Sequence, residues 1–273
     1  MSEVFTRQLN SITSKWWFYV LLLLPVLAGT YAFKGYDLRQ SMDVIREALA
    51  NPLIYRFPIL FPIAKAIPLI LIIGVLIFGN RVRLAFNVYA SLLFLAIAIF
   101  QNTAQTRTYG FVISTGNLIM LLIVTLLWVW ELFVVKNDFS PRRRSVWRWW
   151  PVPLAVLALW APINSNTLAP DFSLGRMLTS ESGLTSCMML AVILSVLSLY
   201  YPTVNLVLMR IMSFVGVFFG VLNIVTWFVI TPSGWWMGIM HVPLFVISIY
   251  TFVLSHSKRL FRTPDERISY YEA

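Results

Sequence analysis

Apolar runs of about twenty residues recur along this chain, separated by short segments that hold most of its lysines and arginines. A helix of that length rises about 30 Å, the thickness of a bilayer's hydrocarbon core. Only 12% of the residues are charged, about half the share usual in soluble domains. Lipid is therefore the expected solvent, and a multi-pass all-α transmembrane helix bundle the expected fold.

Eight spans are predicted, at about 16–33, 55–79, 84–102, 110–135, 149–163, 184–202, 205–229 and 235–255. What remains is too short for a separate soluble domain. Arg7 and Lys15 precede the first run, but Tyr19 through Phe33 continue as a full span, so an uncleaved anchor is expected. With both termini cytoplasmic, inner segments hold fourteen Lys and Arg, against five outside: Lys34, Arg39, Arg46, Arg107 and Arg176. That bias follows the positive-inside rule and predicts a cell-membrane protein. The net charge of +10 is assigned to topology and to anionic head groups of the lipid bilayer, not to nucleic acid. Trp16, Trp17, Trp149, Trp150, Trp235 and Trp236 fall at span ends, where amphipathic rings favour the head-group layer. Residues 37–49 carry Leu38, Met42, Ile45 and Leu49 at helical spacing and predict an amphipathic helix on the outer membrane surface.

Lys15-Trp16-Trp17 opens the first run and Arg148-Trp149-Trp150 the fifth. Lys136 to Pro141 after the fourth run resembles Lys258 to Pro264 after the eighth. These matches suggest a parallel 4+4 tandem repeat of two transmembrane halves, 1–140 and 141–273, with a short cytoplasmic tail.

Polar groups in hydrocarbon are costly unless paired or wetted, so they mark candidate sites. Lys65, Gln101, Asn102, Asn117, Asn223 and His241 are predicted at similar depth in the outer half, where they would line one substrate-binding cavity. Pro58, Pro62 and Pro68 around Lys65 predict a kinked or broken second helix, a construction used at transporter sites. Glu131 is expected to pair with Lys136 or a nearby arginine, and Arg210 to reach phosphate at the inner surface. The outer-loop residues Asp37, Asp171, Arg176 and Glu181 form a second candidate group.

No Walker A, HExxH, GxSxG or CxxC pattern occurs, and no catalytic residue, metal ligand set or cofactor is assigned. Cys187, the single cysteine, is expected as a small buried filler. The leading expectation is a transporter or permease subunit for a small solute. The alternatives are an intramembrane enzyme acting on a lipid-linked substrate, with the outer-loop residues and His241 as acid or base, and a non-catalytic subunit packed against other membrane subunits.

Overall fold

The computed structural model describes residues 3–141, 146–164 and 167–257. The arginine run 142–144 and the tail that completes the proposed repeat lie outside them. The fold is mostly helical, in chain order α1 (Glu3–Ile12), α2 (Trp16–Leu22), α3 (Ser41–Ala50), α4 (Leu60–Phe78), α5 (Arg83–Gln101), α6 (Thr115–Val134), α7 (Pro151–Trp160), α8 (Arg176–Thr179), α9 (Ser186–Leu199), α10 (Leu206–Val225) and α11 (Trp235–His256).

Among the described residues five helical stretches, Leu60–Arg81, Arg83–Gln101, Thr115–Val134, Leu206–Ile230 and Pro232–His256, are long and apolar enough to cross a membrane. A sixth is obtained if α9 is joined to Arg176–Leu184 across a bend of 92°. Eight full spans are not reached, for local reasons. The first apolar run is helical only over Trp16–Leu27, tightening into a 3₁₀ turn at Leu24–Leu27 that contains Pro25. The fifth run stops at Trp160 because Ala161 turns left-handed (φ 47°) and Pro162 follows, which disfavours helix in the residue before it. At about 1.5 Å per residue, α7 and α9 extend about 15 and 21 Å, short of the hydrocarbon thickness. By contrast α4 runs unbroken through Pro68, so the predicted break does not fall there.

The all-α expectation is corrected at one end. Tyr31–Ala32 (β1), Thr103–Thr106 (β2) and Gly110–Ile113 (β3) form an antiparallel sheet ordered β1-β3-β2. The β2–β3 hairpin takes the first residues of the predicted fourth span, and its turn uses Gly110 at φ 71°. The expected amphipathic helix exists as α3, but Val44 and Ala48 pack with Ala32, Ala104 and Val112 of the sheet. Its apolar face thus covers strands, making a small cap; we call this end of the bundle the cap side and the opposite end the basic side.

α9 is the buried axis of the bundle: every residue except Cys187 is buried, with α7, α10 and α11 against it. α4, its counterpart under the tandem repeat, instead exposes Ile63, Ile67, Ile70, Ile73 and Ile77. The two helices occupy unlike environments, so the repeat gains no support from packing. α10 and α11 lie along one another, as do α5 and α6. Close approach at α10–α11 depends on Gly216 and Gly220, a small-xxx-small pair. A Cβ at Gly220 would sit 3.0 Å from Phe245 Cα, and one at Gly216 would overlap Ser248 Oγ. Gly220→Val is expected to destabilise the protein by about 1–3 kcal/mol through overpacking; an unchanged melting temperature would show that the two helices separate freely.

Candidate functional site

A ten-residue helix ending inside the bundle leaves carbonyl oxygens without intrahelical donors. At the cap-side end of α7 those oxygens are met from elsewhere in the chain. Lys65, fully buried on α4, donates to Trp160 O at 3.2 Å, Arg176 O at 2.7 Å and Ser180 Oγ at 2.5 Å. Ser180 Oγ donates to Trp160 O at 3.2 Å, and Ser182 Oγ to Leu159 O at 2.5 Å. A cation at a helix C-terminus is also favoured by the helix dipole. The segment Ser180–Leu184 reaches α4 because residue 183 is glycine: a Cβ there would meet Ala64 O at 2.7 Å and Lys65 Cγ at 3.1 Å.

The N-terminal end of α9 is held in a complementary way. Gln101 Oε1, from the end of α5, accepts from Ser186 N at 2.8 Å. Asn223 Nδ2 donates to Phe219 O at 2.9 Å and to Cys187 Sγ at 3.6 Å, so Cys187 is half-buried and tied to α10. Three of the six predicted substrate-binding residues, Lys65, Gln101 and Asn223, therefore gather where α7 stops and α9 starts.

Three outer-loop candidates join them. Arg176 donates to Ile163 O through its guanidinium and lies 3.6 Å from Asp171 Oδ2. Asp171 accepts from Ser173 N at 3.1 Å, and hydrogen bonds from Ser173 hold its carboxyl below the ordinary carboxylate range. Glu181 lies near enough to Lys65 to act on it electrostatically. Trp236 Nε1 donates to Pro162 O at 2.8 Å, pinning the loop to α11.

The remaining candidates lie apart. Asn102 bonds to Ala98 O at 3.0 Å on its own helix, Asn117 is half-buried on α6, and His241 Nδ1 bonds to Met237 O at 2.7 Å within α11. Asp37 accepts from Arg39 N at 2.8 Å beside the cap. Of the acid–base set envisaged for an enzyme, His241 bonds within its own helix and Asp37 lies beside the cap, apart from Asp171 and Arg176.

The basic side holds a second buried network. Glu131, fully buried near the end of α6, accepts from Asn137 N at 2.6 Å and from Asn205 Nδ2 at 2.7 Å. Asn205 N donates to Asn137 Oδ1 at 2.9 Å, and Asn137 Nδ2 to Asn87 Oδ1 at 3.4 Å. Asn205 Oδ1 in turn caps α10 by accepting from Val207 N and Leu208 N at 3.1 and 3.3 Å. The expected side-chain pairing with Lys136 thus gives way to amides, the Lys136 backbone N–H among them, while Arg83 lies near enough to act on the carboxylate electrostatically. The signal available in sequence was the asparagine content of the segments flanking the spans, Asn137 and Asn205.

Arg210 also departs from expectation. It is buried and donates to Ser255 O at 3.1 Å and Asn10 O at 3.1 Å, fastening α1 to the ends of α10 and α11.

Among the described residues no group of three His, Cys, Asp or Glu is placed to hold a metal ion. No protein-family model, curated protein or solved structure matches this chain.

Proposed function

We propose that this multi-pass membrane protein is a permease or transport subunit for a small anionic or carbonyl-bearing solute, with its site around Lys65, where α7 stops. The observation that carries this reading is a buried ammonium at the C-terminus of the short helix α7, with the N-terminus of the short helix α9 held by Gln101 just beyond the Ser180–Leu184 segment. Irregular backbone at membrane depth is tolerated where it lines a cavity or is buried in protein, and transporters use such breaks to hold solutes. The charged Asp171, Arg176 and Glu181 in the covering loop supply polar groups on the approach from the cap side.

A second reading, a non-catalytic subunit of a larger membrane complex, is favoured by a different observation. All three ammonium donors of Lys65 are taken by protein acceptors, and the isoleucine face of α4 is uncovered.

Ser180→Cys in a Cys187→Ser background separates the two. For a permease, a membrane-impermeant thiol reagent labels residue 180, and at least one member of a panel of small carboxylates, phosphates and neutral carbonyl compounds both slows labelling and raises the melting temperature saturably. Complete protection of residue 180, no melting shift across the panel, and a stable larger assembly in mild detergent would replace the permease with the subunit.

A further inference from the structure

On the basic side, a polar cavity of about 280 Å³ opens between α1 and the chain before α10, lined by Thr6, Asn10, Lys136, Thr203, Asn205 and Leu206, among others. It lies at the start of the long apolar helix α10, the level at which lipid head groups sit. Lys136 is exposed and lines this space.

Behind the wall formed by Asn10 lies Arg210. Its guanidinium contacts are neutral: Ser255 O, Asn10 O, Asn10 Oδ1 and Thr13 Oγ1. Among the described residues no carboxylate lies within salt-bridge distance of it. A buried cation without a counter-charge is costly and leaves a positive field in its surroundings. Among the described side chains, the acidic groups near the cavity have other partners. Glu131 stands behind Asn205, receiving the amides of Asn137 and Asn205. Asp138 Oδ1 accepts from Asn80 Nδ2 and Ser140 N. Tyr201 and Tyr19, the other titratable groups facing Arg210, are neutral phenols at ordinary pH.

We infer that this cavity binds the phosphate of an anionic phospholipid head group, with Lys136 as the direct contact, the Asn10 amide and Thr6 hydroxyl as donors, and Arg210 as a fixed positive charge behind them. The amphipathic α1 is the roof, so an occupied cavity fastens α1 to the bundle. The site is at the opposite end from Lys65 and does not depend on the permease reading.

The test uses the full chain in phosphatidylcholine nanodiscs with increasing phosphatidylglycerol, followed by tryptophan-fluorescence melting. A saturable rise in melting temperature with phosphatidylglycerol is expected. Lys136→Ala should weaken the half-saturating fraction about fivefold, the weight of one basic side chain at an anionic surface, and Lys136→Glu should weaken it further. Lys34→Ala, on the cap, should leave it unchanged. Inorganic phosphate added to the detergent-solubilised protein should not reproduce the shift. Equal melting in both lipids, or a phosphatidylglycerol response that Lys136→Ala leaves intact, would overturn the site. A Lys136-dependent shift with inorganic phosphate of the same size would overturn the assignment to lipid in favour of a free anion.

Discussion

Lys65→Met is expected to cost about 3 kcal/mol or more of folding stability, one of the two largest effects of a single substitution in this protein. Methionine matches the lysine stem in length and apolarity, so packing along α4 is nearly retained. What is lost is a set of three hydrogen bonds from a charged donor, each contributing roughly 1.5–3 kcal/mol, offset in part by relief of the desolvation an ammonium suffers when buried. The acceptors do not leave with the donor. Trp160 O retains Ser180 Oγ and Arg176 O retains Ser180 N at 3.3 Å, so the loss stays below the full sum. Lys65→Arg is expected to fail as well, because Gly183 brings the backbone against residues 64 and 65 and leaves no room for a planar guanidinium. Denaturant or thermal unfolding in detergent checks both. A methionine variant within 1 kcal/mol of the parent would mean that the α7 terminus is held by the serines alone.

This result also bears on how much of the molecule was written in its sequence. The long apolar runs were legible because lipid requires them, and five of them are spans in length and composition. The short helices were not, because apolar content is blind to whether a run faces lipid or protein. α9 is as apolar as a span, yet it is enclosed by other helices and needs no full bilayer crossing. Ala161-Pro162 marked the end of α7, but hydropathy outweighs such local signals when spans are sought by composition. The strand residues Phe111, Val112 and Ile113 resemble the start of a span for the same reason: β-branched and aromatic residues are lipid-soluble and also favour strands. Lys65 was identifiable as costly and therefore meaningful. Its partners were not, since two of the three acceptors are backbone carbonyls, which every residue possesses. Depth along the spans groups Gln101 and Asn223 with it, but depth fixes height and not azimuth; His241 has the same expected depth and bonds to Met237 O within α11.

The second large effect is expected at Glu131. Glu131→Leu removes the carboxylate that accepts from Asn137 N and Asn205 Nδ2 and from the Lys136 backbone, leaving buried donors unpaired at roughly 1–3 kcal/mol each. Glu131→Gln, ordinarily conservative, is expected to lose about 2 kcal/mol, because one carboxylate oxygen becomes an amide nitrogen facing a donor. Rotating the Asn205 amide would restore an acceptor there, but its Oδ1 is already committed to Val207 N and Leu208 N at the start of α10, and surrendering a cap costs about 1 kcal/mol. The clasp also holds an unfavourable turn: Val135 closes α6 in the left-handed region at φ 51°, which a β-branched residue adopts only under constraint. Without Glu131 the turn should relax and the chain from Val135 to Ser140 should lose its contacts with Asn80, Asn87 and Thr203. A double-mutant cycle of Glu131→Gln with Asn205→Ala measures the coupling, expected above about 0.5 kcal/mol for groups in one network. Additive losses, or a leucine variant as stable as the parent, would mean that the carboxylate's desolvation already cancels its hydrogen bonds and that the basic end is held by apolar packing.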